Sequence, residues 1–445
     1  MANPIPNLFR VPELKSKILF TLLVLFIYRV GAHITVPSVN YQALEIAFGA
    51  YETGLLGIYD MFTGGALSRA TVLALGIMPY ISASIMFQLL AAVFPTIEKM
   101  QKEGEEGRKK LTQWTRYATI GLAAMQAYGY SIFLQQLNAG QEGAAAIVAN
   151  PGVLFILSTT LILTIGAVFV MWLGEQITEM GIGNGMSLLI FFSIIQGFPN
   201  AMALIWATFQ AGGISVFGLV IMGLVMLGII GAVVAMTMAA RKLPVQIPRK
   251  VMGRGRVREG QKSFIPLRIN SAGVMPIIFA QSIIIVPGTI AAFSASPWLN
   301  MVSQNWLNPG GWLYMVLYAA LIVFFTYFYT AIIFNPVDLA ENLKKQGAFI
   351  PGVKPGARTS EYIDYVLSRV TLAGSIYLAL IALVPFWIIG WFNIQGIFFG
   401  GTSLLIVVGV ALDTVQQMQQ HLLLRHYEGF MKKGRVRFRG RQRYM

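Results

Sequence analysis

The stretch that decides the fold reads YDMFTGGALSRATVLALGIMPYISASIMFQLLAAVFP and covers residues 59–95. Its second half, residues 72–94, carries no charge and is long enough to cross a bilayer, which takes about 20 apolar residues. Its first half is too polar to cross. The pattern therefore predicts a short amphipathic turn joined directly to a spanning helix. Such half-inserted segments persist in a membrane only where protein or a water-filled cavity surrounds them.

Helical spacing places Ile77, Ile81, Ser84 and Gln88 on one face of this span. The face is apolar at one level and polar further along. Two interpretations stay open from these residues. The face either lines a pore around which the rest of the chain is built, or it is a buried contact between helices.

The composition indicates a polytopic membrane protein. Of the 445 residues, 56% are hydrophobic and 11% are charged, whereas a soluble domain has about 25% charged residues. The chain has no cysteine and only three histidines. No nucleophile–base arrangement or membrane-embedded carboxylate pair is visible, so the sequence predicts no enzyme, no cofactor and no metal site. A secondary transporter is the other alternative, and the near absence of charge in mid-span argues against it.

Ten apolar stretches are candidate membrane spans, and the last is predicted to project beyond the bilayer. They cover residues 18–36, 72–94, 117–137, 153–173, 186–206, 216–240, 272–293, 312–334, 370–389 and 397–423. With the N-terminus in the cytoplasm, every Lys and Arg except Arg29 and Arg69 falls on the cytoplasmic side or at a span end. This distribution follows the positive-inside rule. Topology alone therefore accounts for much of the net charge of +15.

Two loops and the tail, residues 425–445, are more basic than topology requires. The first loop, residues 241–270, combines Pro and Gly with short VQI and RVR runs, which predicts a projecting hairpin. The second, residues 337–366, contains GAFIPGVKPGARTSEYID and predicts a rigid turn with Lys354 at its tip. Three basic projections indicate a large polyanionic or acidic partner. Positive-inside topology stays an alternative for the loops, and anionic lipid for the tail.

Five motifs occur in order along nearly the whole chain. They are LGIMPYISASI (75–85), WLGEQITEMGIGNGMSLLIF (172–191), INSAGVMPIIFAQSI (269–283), NPVDLAENLKKQGAFIPGVKPG (335–356) and GGTSLLIVVGVALD (400–413). Together they closely resemble the SecY/Sec61-alpha family, the channel-forming subunits of protein translocases.

The resemblance implies an all-α polytopic membrane protein with ten transmembrane helices. Two inverted pseudo-symmetric halves, residues 1–196 and 197–445, would surround an hourglass pore with a short plug helix. It further implies that the channel passes unfolded preproteins across the plasma membrane. Transmembrane segments would leave sideways into lipid through a lateral gate.

The resemblance also implies roles for individual residues. A plug at about residues 59–70 would include Asp60, Met61, Phe62, Gly64, Gly65, Ser68 and Arg69. A pore ring would consist of Ile77, Ile81, Met186, Ile190, Ile278 and Ile406. The lateral gate would include Ser82, Gln126, Gln281 and Val286, whose polar members could hold it shut by hydrogen bonds. Packing inside a static helix bundle stays an alternative for Gln126 and Gln281. An apolar ring suits a sliding polypeptide because polar contacts would trap it, and apolar side chains exclude ions by dewetting.

The partners implied by the resemblance are the SecE and SecG subunits of a heterotrimer, the SecA motor ATPase, the ribosome, preprotein signal sequences and membrane lipids, with SecDF and YidC as further candidates. The ribosome and SecA would meet Arg254, Arg256, Arg258, Lys344, Lys345, Lys354 and Arg358. Bacterial members usually carry Arg at the tip of the second basic loop, and lysine cannot reproduce its bidentate fork. The implied location is the bacterial plasma membrane, with both termini in the cytoplasm.

Overall fold

The computed structural model describes residues 12–51, 54–139, 146–246, 251–252, 256–257, 262–293, 298, 301, 308–309, 311–392 and 401–433. Within these residues the chain is mainly helical. The helices are α1 (Pro12–Gly31), α2 (Tyr41–Phe48), α3 (Leu55–Thr63), α4 (Met78–Val93), α5 (Pro95–Lys102), α6 (Glu105–Ala139), α7 (Val153–Met180), α8 (Gly185–Gln210), α9 (Val216–Met238), α10 (Met275–Phe293), α11 (Trp312–Ile333), α12 (Pro336–Lys345), α13 (Ala357–Phe392) and α14 (Gly401–Lys433). The strands are β1 (Ala240–Gln246), β2 (Val251–Met252), β3 (Arg256–Val257) and β4 (Lys262–Arg268).

Each of the ten predicted spans overlaps one described helix. By length and hydropathy alone, five candidate spans are able to cross a membrane. They are α7, α8, α9, α13, and the pair α11 and α12 taken as one span. A sixth crossing is obtained if α4 and α5 count as one bent span. Helix α10 is apolar but shorter. The all-helical membrane fold is therefore confirmed, while the total of ten spans stays a prediction.

The prediction that the second span begins at residue 72 was wrong, because residues 64–77 form turns and α4 begins at Met78. The Val72 N–H donates to the Ile34 carbonyl at 2.8 Å, so residue 72 is paired with the chain that follows α1. At its other end, α4 meets α5 in a bend of 110°. Pro95 begins α5 and has no N–H with which to continue α4.

The turns at residues 64–77 lie directly on α7. A Cβ atom at Gly166 of α7 would come within 1.9 Å of the Val72 carbonyl oxygen, so only glycine permits this approach of two backbones. One large apolar core surrounds the turns and includes Tyr59, Phe62 and Tyr130. The non-helical residues are therefore enclosed by protein, as expected for irregular backbone at membrane depth.

The predicted hairpin at residues 241–270 is confirmed. Strand β1 pairs with β4 in antiparallel register along its full length, and β2 pairs with β3. Gln246 also pairs with Phe349 of the second basic loop through two backbone hydrogen bonds of 2.9 Å. A second apolar cluster joins these segments, formed by Leu243, Val245, Leu267, Leu343, Ala348, Ile350, Ile363 and Val366. We call this assembly, the described residues of 240–268 with 334–366, the hairpin unit.

Candidate functional site

The candidate plug is a helix followed by a tight turn, and its helix lies earlier than predicted. Residues 59–70 were expected to form it, but α3 ends at Thr63. Gly64 and Gly65 adopt φ values of 69° and 77°, in the left-handed region that stops a helix. We call residues 55–70 the plug segment. Phe62 is buried and Met61 is half-buried, so much of its surface packs against protein.

Asp60 folds the turn back onto the helix. Its Oδ1 atom accepts the backbone N–H groups of Leu67 and Ser68, each at 2.9 Å. Burial raises the pKa of the Asp60 carboxyl group, while the hydrogen bonds from Ser68 and Leu67 and the charge of Arg69 lower it. Arg69 itself lies 3.8 Å from Glu45, and both side chains are partly exposed. We call the two hydrogen bonds from Leu67 and Ser68 to Asp60 the internal cap of the plug segment.

Three neighbouring helices donate hydrogen bonds to the carbonyl groups of the plug segment. The Tyr28 hydroxyl of α1 donates to Thr63 at 3.4 Å, and Gln196 Nε2 of α8 donates to Gly64 at 2.5 Å. The Tyr130 hydroxyl of α6 donates to Leu67 at 2.6 Å. Sequence reasoning missed these three donors. A tyrosine inside an apolar span is the available signal, since a buried hydroxyl needs a partner.

Five of the six predicted ring residues are buried, namely Ile77, Ile81, Ile190, Ile278 and Ile406. Met186 is half-buried, and its sulphur lies beside Gly174 of α7. One turn beyond Ile190, Ile194 is fully buried and follows Ser193, which contacts the plug segment. The ring stays a prediction.

Helix α10 packs against α4, α6 and α3, and we call the contact of α10 with α4 and α6 the seam. Two of the polar residues proposed for the lateral gate form hydrogen bonds that do not cross the seam. Gln281 Nε2 of α10 donates to the Tyr314 hydroxyl of α11 at 3.2 Å, and Ser82 Oγ donates to the Met78 carbonyl within α4. Gln126 is buried, and Val286 is half-buried.

The hydrogen bonds that Ser82 and Gln281 were expected to supply across the seam are therefore not formed in the described structure. Aromatic rings make the contact instead. Phe293 lies 5.6 Å from Tyr130 and 5.3 Å from Phe133, between ring centroids. The Ser82 hydroxyl bonds to the backbone of its own helix, and the Gln281 amide bonds to the adjacent helix α11, because these acceptors are nearer.

Four of the predicted basic residues, Lys344, Lys345, Lys354 and Arg358, lie in the described part of the hairpin unit beside its apolar cluster. Lys354 lies in a turn flanked by Gly352 and Gly356, both with positive φ, and its carbonyl accepts the Thr359 hydroxyl at 2.9 Å. Exposed ion pairs join Lys345 to Glu341 and Arg358 to Glu361. Lys344 occupies the last turn of α12, and Arg256 belongs to β3. Arg254, Arg258 and residues 434–445 lie outside the described residues.

Comparison with known proteins gives consistent matches. A protein-family model described as SecY matches residues 71–415. The protein translocase subunit SecY of Aquifex aeolicus is 43% identical over 97% of this chain and 100% of its own length. The corresponding subunit of Streptomyces coelicolor is 44% identical, with the same coverage of both chains.

Solved structures share the fold at low sequence identity. One described as a protein conducting channel aligns with a TM-score of 0.63 and 17% identity, covering 94% of this chain and 97% of that chain. Sec61 in a canine ribosome–channel complex aligns with a TM-score of 0.57 and 16% identity, again over 94% and 97%. These likenesses concern the fold.

Proposed function

The chain belongs to the SecY family of protein translocase subunits and forms a protein-conducting channel, and from that premise we propose how its parts open and close. The plug segment closes the channel at rest, and the seam separates to release transmembrane segments into lipid. The observation that carries this proposal is the attachment of the plug segment to α1, α6 and α8 by three side-chain hydrogen bonds. Such bonds contribute about 1 kcal/mol each and exchange readily.

We propose that the ring residues form a second, apolar seal beneath the plug segment. In this arrangement residues 1–196 and 197–445 are the two halves of the channel. The protein resides in a bacterial plasma membrane with both termini in the cytoplasm, which is supported by the position of nearly every Lys and Arg. The hairpin unit then projects into the cytoplasm.

The hairpin unit is the proposed docking surface for partners. The Sec61 structure that shares this fold is described as part of a ribosome–channel complex. A rigid basic surface suits both ribosomal RNA phosphates and the acidic groups of a motor protein. We therefore propose the ribosome and SecA as partners at this surface, and SecE and SecG as partners within the membrane.

The channel proposal is tested by single-channel recording of the purified complex in planar bilayers. Deleting residues 60–68 is expected to raise the resting conductance while export continues, because the ring still closes. Replacing Ile81 and Ile190 together with Ser is expected to wet the constriction and add to the leak. The control replaces Leu154 and Leu161, which are exposed on α7, with Ser. Unchanged resting conductance in both the deletion and the double variant would place the pore elsewhere.

The docking proposal is tested by charge reversal. Replacing Arg254, Arg256 and Arg258 with Glu is expected to weaken ribosome or SecA binding, with a smaller loss at high salt. Lys354→Glu is expected to impair motor-driven transport more than membrane insertion. Lys109→Glu, an exposed change on α6, serves as the control. Normal partner affinity of both reversed proteins at low salt would leave topology as the whole explanation of the charge.

The subunit proposal predicts that the chain alone is unstable in detergent. A bundle that opens along a seam has weak internal contacts there, so a subunit that clamps both halves should raise its melting temperature. Thermal unfolding of the chain with and without SecE and SecG measures this effect. Equal melting temperatures would argue against the clamp.

A further inference from the structure

Tyr130 lies where the seam meets the plug segment. Its side chain is fully buried, and its hydroxyl donates to the Leu67 carbonyl at 2.6 Å. Its ring packs edge-on against Phe293, the last residue of α10, at 5.6 Å. One side chain therefore contacts the plug segment through its oxygen and the opposite side of the seam through its ring.

The packing leaves the Tyr130 ring little freedom while the seam is closed. The preceding residue, Gly129, lies so close to α10 that a Cβ atom there would be 3.3 Å from Phe293 Cβ. Phe133 lies 6.3 Å from the Tyr130 ring and 5.3 Å from that of Phe293, which completes a three-ring cluster. Close packing of this kind holds a side chain in one rotamer.

The other two attachments of the plug segment come from outside the seam. Tyr28 belongs to α1 and is held by the Ser193 hydroxyl of α8 at 2.9 Å. Gln196 also belongs to α8. Separating α10 from α6 breaks the contact between Phe293 and Tyr130. It breaks neither of the hydrogen bonds of Tyr28, to Ser193 and to Thr63. The seam therefore acts directly on one of the three attachments.

We propose that Tyr130 is a positioning residue that transmits the state of the seam to the plug segment. While α10 is in place, the Tyr130 hydroxyl stays aimed at the Leu67 carbonyl. When α10 moves away, its packing against α3 is lost, the Tyr130 ring gains rotamers, and the hydrogen bond to Leu67 is broken. The side-chain attachments from α1 and α8 remain, as does the backbone hydrogen bond from the Val36 N–H to the Ala70 carbonyl at 2.9 Å. This inference rests on the proposed roles of the seam and the plug segment.

The test uses the absence of cysteine in the chain. Met61→Cys places one thiol on the half-buried face of α3, and the complex is reconstituted into vesicles. The rate of labelling by a membrane-impermeant maleimide then reports how often the plug segment leaves its site. Tyr130→Phe keeps the ring and removes the hydroxyl, so we expect labelling about five-fold faster, the effect of one net hydrogen bond.

A double-mutant cycle separates transmission from simple loosening. Phe293→Ala alone is expected to accelerate labelling by a similar factor, and Phe293→Ala with Tyr130→Phe no more than either change alone. Tyr28→Phe with Phe293→Ala is expected to give the product of the two single factors. Tyr128→Phe, on the exposed side of α6, is the matched control and leaves the rate unchanged.

The proposal would be overturned if labelling of the Tyr130→Phe, Phe293→Ala double variant were accelerated by the product of the two single factors. An unchanged labelling rate in Tyr130→Phe alone would overturn it as well. Labelling needs no conduction, so its result is independent of the bilayer recordings. If deleting residues 60–68 left the resting conductance unchanged while the cycle showed coupling, the plug role would fail and the link between seam and segment would stand.

Discussion

The plug segment and the hairpin unit are both non-spanning parts of the chain, and they are held in place by different means. The plug segment is attached to its surroundings by side chains that donate to backbone carbonyls. The hairpin unit is held by a continuous antiparallel ladder and an apolar cluster of its own. The side-chain hydrogen bonds of the plug segment can be broken one at a time, whereas we expect the ladder and the apolar cluster of the hairpin unit to be lost as one unit. From this difference we expect the plug segment to leave its place more readily than the hairpin unit.

The largest expected effect is the collapse of the hairpin unit. Leu267 is 1% exposed, so Leu267→Asp would bury an unpaired charge at a cost on the order of 3–5 kcal/mol. We expect rapid cleavage of both basic loops in limited proteolysis and loss of ribosome or SecA binding. Phe264→Ser changes an exposed residue of the same strand without adding charge and should leave the protease resistance unchanged. Equal protease resistance of the two variants would mean that the cluster does not hold the unit.

A smaller but selective effect is expected at the end of α3. Gly64→Val forces a left-handed backbone on a branched residue, at about 1–2 kcal/mol, and a Cβ there would also lie 3.3 Å from Ser193 Cα. We expect a raised resting conductance in planar bilayers. Gly65→Val carries the same backbone strain in open space. If both variants leaked equally, the contact with α8 would contribute nothing to closure.

The internal cap of the plug segment is expected to contribute about 1 kcal/mol, mainly through the Ser68 N–H group. Asp60→Ala removes the 2.9 Å acceptor of the Ser68 and Leu67 N–H groups and leaves Leu67 only the Thr63 hydroxyl at 3.3 Å, so maleimide labelling of the thiol introduced by Met61→Cys should accelerate. Asp60→Asn keeps a neutral oxygen acceptor in the same place and should label no faster than the parent. Acceleration of the same size in both variants would show that charge, not hydrogen bonding, matters there.

The same carboxyl group predicts a dependence on pH. Burial raises the pKa of Asp60 in the docked segment, so its protonated form favours docking. Docking is therefore strongest below the ordinary pKa of a carboxyl group and weakens as the pH rises through the raised value. We expect resting conductance to fall on acidification across that interval, and Asp60→Asn to abolish this response. An identical pH profile in the variant would assign the response to another group.

The smallest effect is expected for the exposed ion pairs of the hairpin unit. Replacing Glu341 and Glu361 with Gln removes the partners of Lys345 and Arg358. Exposed pairs of this kind contribute about 0–1 kcal/mol, so the melting temperature should hardly change. A clear drop would show that the unit depends on surface charge as well as on its apolar cluster.

The sequence predicted those features that depend on local pattern. Hydropathy located a helix within every predicted span, and the Pro and Gly residues of 241–270 and 351–356 indicated the hairpin and the turn at Lys354. It did not predict that Gln246 pairs with Phe349, because residues so far apart are joined only by the tertiary fold.

The plug segment shows why the boundary of a helix was misjudged. LLGIYDMFT is as apolar as its surroundings, and its end is set by the left-handed Gly64 and by Asp60 reaching forward to Leu67 and Ser68. Likewise, Ser82 and Gln281 were candidates for hydrogen bonds across the seam, but each finds a partner nearer by. The buried Oε1 atom of Gln126 has no hydrogen-bond partner among the described residues. The presence of a polar residue in a span therefore does not identify its partner.

The late start of the helix in the predicted second span, at Met78, has a consequence for the lipid around it. Helix α4 has 16 residues, or about 24 Å of length, whereas the hydrocarbon core of a bilayer is about 30 Å thick. The sharp turn at Pro95 prevents the helix from extending at one end, and the enclosed turns at 64–77 take up the shortfall at the other. A change in bilayer thickness therefore acts on α4 as hydrophobic mismatch. We expect the resulting strain to act on the turns at residues 64–77, which join α3 to α4.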